Sequence, residues 1–350
     1  MNSETENLVI QTIAKLGKAS VSDVVKNMPE KRSRQWVSSL LHKIEGEKKL
    51  VSTKSGKFVY FVLPTRLDLI GESVNRELIN KDLDEDIVFK ELYEKIPFLK
   101  KLKEDVHSIL QYGFTEILNN AIEHSGSKSI KVVIEKVENS IVFEIRDRGI
   151  GTFKNIMQKK GLASEMEAIQ ELIKGKTTTI PHSHSGEGIF FTSKIADLFI
   201  LDSFGYRLRV DNKINDVFIE KIKPFIGTKV RFEISGNSDK HLNDIFLEYE
   251  AEPGSFSFDK TKVHVKLFKA GTIYISRSQA RRLMANLEKY KLIILDFSGI
   301  NTVGQAFADE VFRVFTSKHP EIKIEPINMS ETVQFMISRV EKPQMELPLD

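Results

Sequence analysis

The chain's 350 residues suggest two or three domains, and with 41% hydrophobic and 29% charged residues it can bury real cores and is not a disordered chain. Its formal net charge of only +3 does not mark the whole chain as a polyanion binder, and its lack of cysteine excludes disulfides, thiolate metal sites and cysteine nucleophiles. No apolar run approaches the ~18 residues of a spanning helix, and the polar, acidic start Met1-Asn-Ser-Glu-Thr-Glu is unlike a secretory signal, so a cytoplasmic protein with no membrane partner is expected.

Residues 1–64 hold a charge asymmetry, 11 Lys/Arg against 6 Asp/Glu, and any nucleic-acid footprint is expected there. Leu8, Ile10, Ile13, Ala14 and Leu16 fall near helical spacing over 4–16, closed by Gly17. Ser20 and Asp23 read as an N-cap box opening a short helix that Pro29 ends. A third helix is expected over 31–44, with Trp36, Val37, Leu40 and Leu41 on one face. Two strand-like runs follow, 49–53 and 57–63, joined by Lys54-Ser-Gly56. Three helices and a basic hairpin resemble a winged helix. The resemblance implies a domain over 1–64 that binds double-stranded DNA, the third helix in the major groove and the hairpin on the backbone. Lys31, Arg32, Arg34, Lys54 and Lys57 are then the DNA-contacting residues. The alternative is a protein-docking domain whose basic residues are simply solvated.

Residues 65–104 read as a charged helical connector, with a helix over 84–95 whose Ile87, Phe89, Leu92 and Tyr93 have something to pack against. In the helical segment 113–125, Glu116, Asn120 and His124 recur every fourth residue and share a face. A carboxylate and a carboxamide one turn apart can serve a water and a hard cation, and magnesium needs few protein oxygens. Strands expected over 130–137 and 141–145 run into Asp147-Arg-Gly149-Ile-Gly151, where glycines let backbone approach a ligand beside a buried carboxylate. Ser185-Gly186-Glu-Gly188 opens an apolar helix reaching Leu198, and glycines at a helix start offer N–H groups to phosphate. Gly227-Thr228 reads as a turn entering a strand.

In this order and spacing, these four segments resemble the GHKL (Bergerat-fold) nucleotide-binding domain of gyrase B, Hsp90, MutL, sensor histidine kinases and anti-sigma-factor serine kinases. The resemblance covers 105–236 and implies ATP and Mg2+ as cofactors. It implies Glu116 as general base, Asn120 as magnesium ligand and Asp147 as acceptor for the adenine amino group. Gly149 and Gly151 would flank the base, Gly186 and Gly188 would contact phosphate, and Thr228 would lie near the adenine. Histidine kinases often carry Asn where Glu116 stands, so the carboxylate leans toward ATPase or serine-kinase chemistry. The phosphate box departs from the fuller GxGxG form by offering two glycines. Residues 152–185 are implied as the ATP lid; His182 and His184 within it read as polar lid residues rather than metal ligands.

After the turn Glu252-Pro-Gly254, strands over 272–275, 292–297 and 322–326 alternate with helices over 277–290, 306–316 and 331–338, a βαβαβα pattern. Asp296-Phe-Ser-Gly-Ile300 before a loop and helix resembles the STAS domain of anti-anti-sigma factors, here over 255–340. That family's phosphorylatable serine would fall where this chain has Gly304-Gln305-Ala306, with Thr302 the nearest hydroxyl, so a structural or dimerising domain is expected rather than a phospho-switch. Residues 341–350 read as a flexible tail, in which Gln344-Met-Glu-Leu-Pro-Leu349 resembles peptides that dock on a DNA sliding clamp.

The expectation is a multidomain α+β chain: a winged helix, an α/β sandwich with a mixed sheet and helices on one face, and a small α/β domain. Its expected function is that of an ATP-binding, DNA-associated regulator with a protein partner or a homodimer formed through the STAS-like domain. Serine/threonine kinase activity on a protein partner, or a DNA-processing or defence ATPase, are the alternatives.

Overall fold

A computed structural model describes residues 3–30, 32–55, 58–65, 73–176, 187–255, 257–268, 274 and 276–341. The N-terminal module comprises α1 (Ser3–Leu16), β1 (Ala19–Ser20), α2 (Val21–Asn27), α3 (Arg34–Gly46), β2 (Val51–Ser55) and β3 (Phe58–Val62), with sheet order β1-β3-β2. The expected capping box opens α2: Ser20 Oγ accepts from Asp23 N at 3.3 Å, and the Asp23 carboxylate accepts from Ser20 N at 2.9 Å. Helix α3 buries Val37, Leu40, Leu41 and Ile44, one stripe at helical spacing, against Val9, Ile13, Val24 and Phe61. Each such side chain contributes about 1.5–3 kcal/mol. The opposite face of α3 stays polar.

The central module begins earlier than the sequence suggested. Strand β4 (Ser73–Ile79) pairs antiparallel with β5 (Ser129–Val137), so the stretch read as a helical connector supplies a sheet edge. Its pattern escaped notice because Leu78 is its one buried residue, and an edge strand carries charges such as Arg76 and Glu77. Next come α4 (Glu85–Lys95), α5 (Glu104–His124), β6 (Ser140–Asp147), α6 (Thr152–Lys160), α7 (Glu165–Lys174), α8 (Gly188–Ile195), β7 (Leu198–Asp211), β8 (Asp216–Ser235) and α9 (Leu242–Glu248). The sheet order is β4-β5-β6-β8-β7, with every pairing antiparallel where a mixed sheet was expected. Two of these pairs, β5–β6 and β7–β8, are hairpins, which can only pair antiparallel, and the β4–β5 and β6–β8 pairs formed over long connections run antiparallel as well. Helix α8 also stops at Ile195 rather than Leu198, and Leu198 starts β7.

Alternate residues of β5 and β6 point into the core, among them Ile130, Val132, Ile141 and Phe143. Phe143 stacks on Phe232 at 4.7 Å, and Phe114 of α5 meets it edge-on at 5.6 Å. Helix α5 lies close to the sheet, since a Cβ at Gly113 would come within 3.0 Å of the Phe232 ring.

The C-terminal module contains β9 (Lys260–His264), α10 (Arg277–Met284), β10 (Leu292–Asp296), α11 (Gln305–Asp309), a π-helical stretch Glu310–Phe315, α12 (Thr316–Lys318), β11 (Lys323–Ile327) and α13 (Glu331–Glu341). Its strands run parallel in the order β11-β10-β9. The first strand is β9, not the 272–275 run, of which Tyr274 alone is described and bridges Val303. Helix α10 ends at Met284 instead of Tyr290 because Asn286 adopts a left-handed φ of 60°. The tail peptide 344–349 lies outside the described residues. No described helix is long and apolar enough to cross a membrane.

The central and C-terminal modules share a buried joint. Phe190 and Phe191 of α8 belong to the C-terminal core, each with its ring 4.8 Å from that of Phe258. Near Phe190 in the same joint, His264 is 7% exposed and lies 3.5 Å from Asp296, which Lys262 also contacts at 3.1 Å. Burial, then the Lys194 ammonium, hold the His264 imidazole down to a pKa of about 4. Burial pushes the Asp296 carboxyl up, but hydrogen bonds from Ser298 and Asn328 outweigh it, and Asp296 stays well below the usual carboxylate range.

The folded value of His264 is below the unfolded ~6.5, so on acidification the unfolded chain takes up the proton first. Its contribution to stability is complete above about pH 6.5 and is lost toward pH 4, by at most about 3 kcal/mol. The thermal midpoint of the wild type should therefore fall more between pH 7 and pH 5 than that of His264→Gln. Parallel falls would remove His264 from the acid sensitivity of the joint.

Candidate functional site

Helix α5 carries the first part of the site. Asn120 Nδ2 donates to the Glu116 carbonyl one turn back at 2.6 Å, which commits the amide nitrogen and leaves Oδ1 as the side chain's acceptor. The start of α8 presses on the same turn, since a Cβ at Gly188 would lie 1.9 Å from Glu116 Oε2. A side chain there would have to push the Glu116 carboxylate aside. Burial, then the charges of Glu116 and Glu187, push the Tyr112 phenol well above its usual pKa. Glu116, Gly188 and Tyr112 thus share one corner between α5 and α8.

The second part lies where β6 ends. Asp147 is 4% exposed, and its Oδ1 accepts N–H groups from Gly149 at 2.8 Å and Thr228 at 3.2 Å. Burial raises its pKa, and those backbone donors oppose the rise. The turn is laid directly on the C-terminus of α5: Ile150 N donates to the Ser125 carbonyl at 2.8 Å, and a Cβ at Gly149 would sit 1.8 Å from that oxygen. From the other side Gly227, at φ 94°, brings β8 so close that a Cβ would lie 2.2 Å from the Asp147 carbonyl oxygen. Thr228 Oγ1 accepts from Thr152 N at 3.0 Å, tying α6 to β8. A two-oxygen carboxylate with these donors still has acceptor capacity for an amino group.

The structure therefore gathers Asp147, Gly149, Gly151 and Thr228 at one end and Glu116, Asn120 and Gly188 along α5. Gly186, His182 and His184 lie outside the described residues. So do Lys31 and Lys57, and the side chain of Lys54 is likewise outside them. Arg32 stacks 5.1 Å over Trp36 and pairs with Glu30 at 2.5 Å, so its charge is already engaged. Arg34 instead lines a groove of about 550 Å³ between α3, with Gln35, Ser38 and His42, and the apolar Val21, Val59 and Phe61. In the C-terminal module, Gly304 caps α11 with its N–H donating to the Tyr274 carbonyl at 2.7 Å, and no hydroxyl occupies the helix start.

Sequence reading missed Phe204. It sits in a β-bulge of β7 at φ 52°, a rare conformation for a bulky residue. Its ring lies where a Cβ at Gly151 would approach within 2.6 Å, so it backs the turn that carries Gly151. The available signal was Gly205 inside an otherwise strand-like run, a common mark of a bulge.

Residues 106–238 match the family described as histidine kinase-, DNA gyrase B-, and HSP90-like ATPase. Residues 279–334 match a STAS-like domain of unknown function. No curated protein matches the chain. The buried carboxylate between glycine turns and the acidic helix face beside Gly188 fall within the first match, and the parallel β9–β11 module holds the second. The chain thus carries a histidine kinase-, DNA gyrase B- and HSP90-like ATPase domain followed by a STAS-like domain.

Proposed function

We propose that the protein is an ATP-switched, DNA-associated regulator. The central domain would bind Mg·ATP, the N-terminal module would bind duplex DNA as a winged helix, and the STAS-like domain would carry the signal onward. The observation that carries the nucleotide reading is Asp147, a buried carboxylate with two backbone donors on one oxygen, set between glycine turns. Such a group matches the amino edge of adenine. The start of α8, seated on Glu116 through Gly188, offers backbone N–H groups to the phosphates.

Asn120 fits the magnesium role, because its amide nitrogen is held by the Glu116 carbonyl and its oxygen remains for an ion that takes few protein ligands. When bound, the ion supplies neutralisation of phosphate charge. Glu116 is the carboxylate placed to take a proton from a water or a hydroxyl as that oxygen attacks. Support for the DNA reading is the pairing of a three-helix, three-strand module with an α3 face of Arg34, Gln35, Ser38 and His42. Side chains of these types reach both phosphates and base edges.

Asp147→Asn should weaken ATP binding by at least about 30-fold, the loss of one charge-assisted hydrogen bond in a buried site. Glu116→Gln keeps the contact with Gly188 and should leave ATP affinity within about threefold while lowering phosphoryl chemistry by about 10²-fold or more. Calorimetry with labelled-phosphate release checks both, and equal losses of affinity would reject the assigned roles. Label from γ-labelled ATP appearing on a protein would replace the ATPase reading by a kinase.

For DNA, Arg34→Ala should reduce the salt slope of duplex binding by about 0.9 for each lost phosphate contact. Arg32→Ala should change it less, since Glu30 already holds that charge. Fluorescence anisotropy of a labelled duplex over a salt series reads the slopes. Absence of any salt-sensitive affinity would make the module a protein-docking one.

A further inference from the structure

The start of α8, at the proposed phosphate end, and the close of the neighbouring α7 are both built into the STAS-like domain. Lys174, at the end of α7, is 1% exposed. Its ammonium donates to Glu171 Oε1 at 2.7 Å and, across the joint, to the carbonyls of Ala285 at 2.7 Å and Arg282 at 3.1 Å. Those acceptors match the three donors of a lysine. The Lys174 carbonyl in turn accepts from Tyr290 OH at 2.7 Å and Thr261 Oγ1 at 2.8 Å. Asn286 Nδ2 donates to Glu171 Oε2 at 2.7 Å. Phe258 ties the two segments together: a Cβ at Gly175 would meet its ring at 2.6 Å, and its ring also packs on Phe190 and Phe191 of α8.

We infer that the STAS-like domain is the holder of the phosphate-facing start of α8 and of the close of α7, and that Lys174 is the residue through which nucleotide occupancy and the α10–β10 region change together. The inference rests on the ATP reading of the central domain. A buried ammonium without acceptors is strongly unfavourable, so the joint has a fully engaged state and a released one, with little between. Releasing α8 would withdraw Phe190 and Phe191 from their core and carry Gly188 away from Glu116. A ligand that touches the α8 start must then favour one state, and the coupling works in both directions.

Amide exchange of residues 277–291, measured on the full chain with and without a magnesium–ATP analogue that resists hydrolysis, tests this alongside calorimetric affinity. The wild type should show a change in protection of about fivefold or more on binding. The paired substitution Glu171→Gln with Lys174→Met removes both charges together and should abolish that change while the analogue still binds. Tyr290→Phe, which deletes one hydroxyl and keeps the ring, should reduce it. Binding to the wild type with exchange at 277–291 unaltered would overturn the coupling and leave the ATP site standing. A full response in the paired variant would overturn the role of Lys174. No binding to the wild type would overturn the ATP reading, and the coupling with it.

Discussion

Asp147 puts a carboxylate where water barely reaches, and the surrounding chain is arranged to make that tolerable. An ionised carboxylate away from solvent needs hydrogen bonds to offset its lost hydration. Here they come from backbone, Gly149 on its own turn and Thr228 on β8, so the strand and the turn must both be in place. That requirement propagates. β8 reaches Asp147 only because Gly227 lacks a side chain, and the turn reaches α5 only because Gly149 does. The positions of α5, with Glu116 and Asn120, and of α6, through Thr152 and Thr228, follow from the same knot of contacts. Rigid backbone donors around one acceptor are what a site needs if it is to recognise an edge of a flat ligand rather than merely attract charge.

The parts of this site that were legible in the sequence are those in which chemistry demands a particular residue type. The motifs picked out Asp147 with its glycines and Glu116 one turn before Asn120, and the structure places the first in a buried turn and the second pair on one turn of α5. Capping at Ser20 and the stripe on α3 were legible for the same reason, a short-range rule with a fixed spacing. What escaped was set by tertiary pairing. β4 is an edge strand with a single buried residue, β9 is a five-residue strand of mixed character, and β8 runs on through Pro224 and Gly227 as though neither were a stop. Gly205 marks a bulge, but does not show that the bulge brings Phe204 under a glycine far away in sequence.

Module boundaries drawn from composition also understate how the chain is assembled. By sequence, α8 belongs wholly to the ATPase-like domain, whose match spans residues 106–238. By packing, its phenylalanines belong to the STAS-like domain. One helix therefore serves two cores, and α7 does much the same through Lys174. Interfaces between neighbouring domains are commonly polar and loose. This one buries aromatic rings and a fully engaged ammonium, as the interior of a single domain would.

Shared cores have a consequence for biosynthesis. A chain emerges from the ribosome at roughly 5–20 residues per second, and domains tend to fold as they appear. The ATPase sheet can close once β8 is made, yet Phe190 and Phe191 must wait for Phe258 and the strands beyond it. For a period of roughly seconds the nascent protein presents those two rings with only each other, Phe246 and Tyr249 to pack on. The final third of the gene thus acts as the chaperone of the middle third, and a premature stop within it would release an ATPase sheet with an adhesive helix.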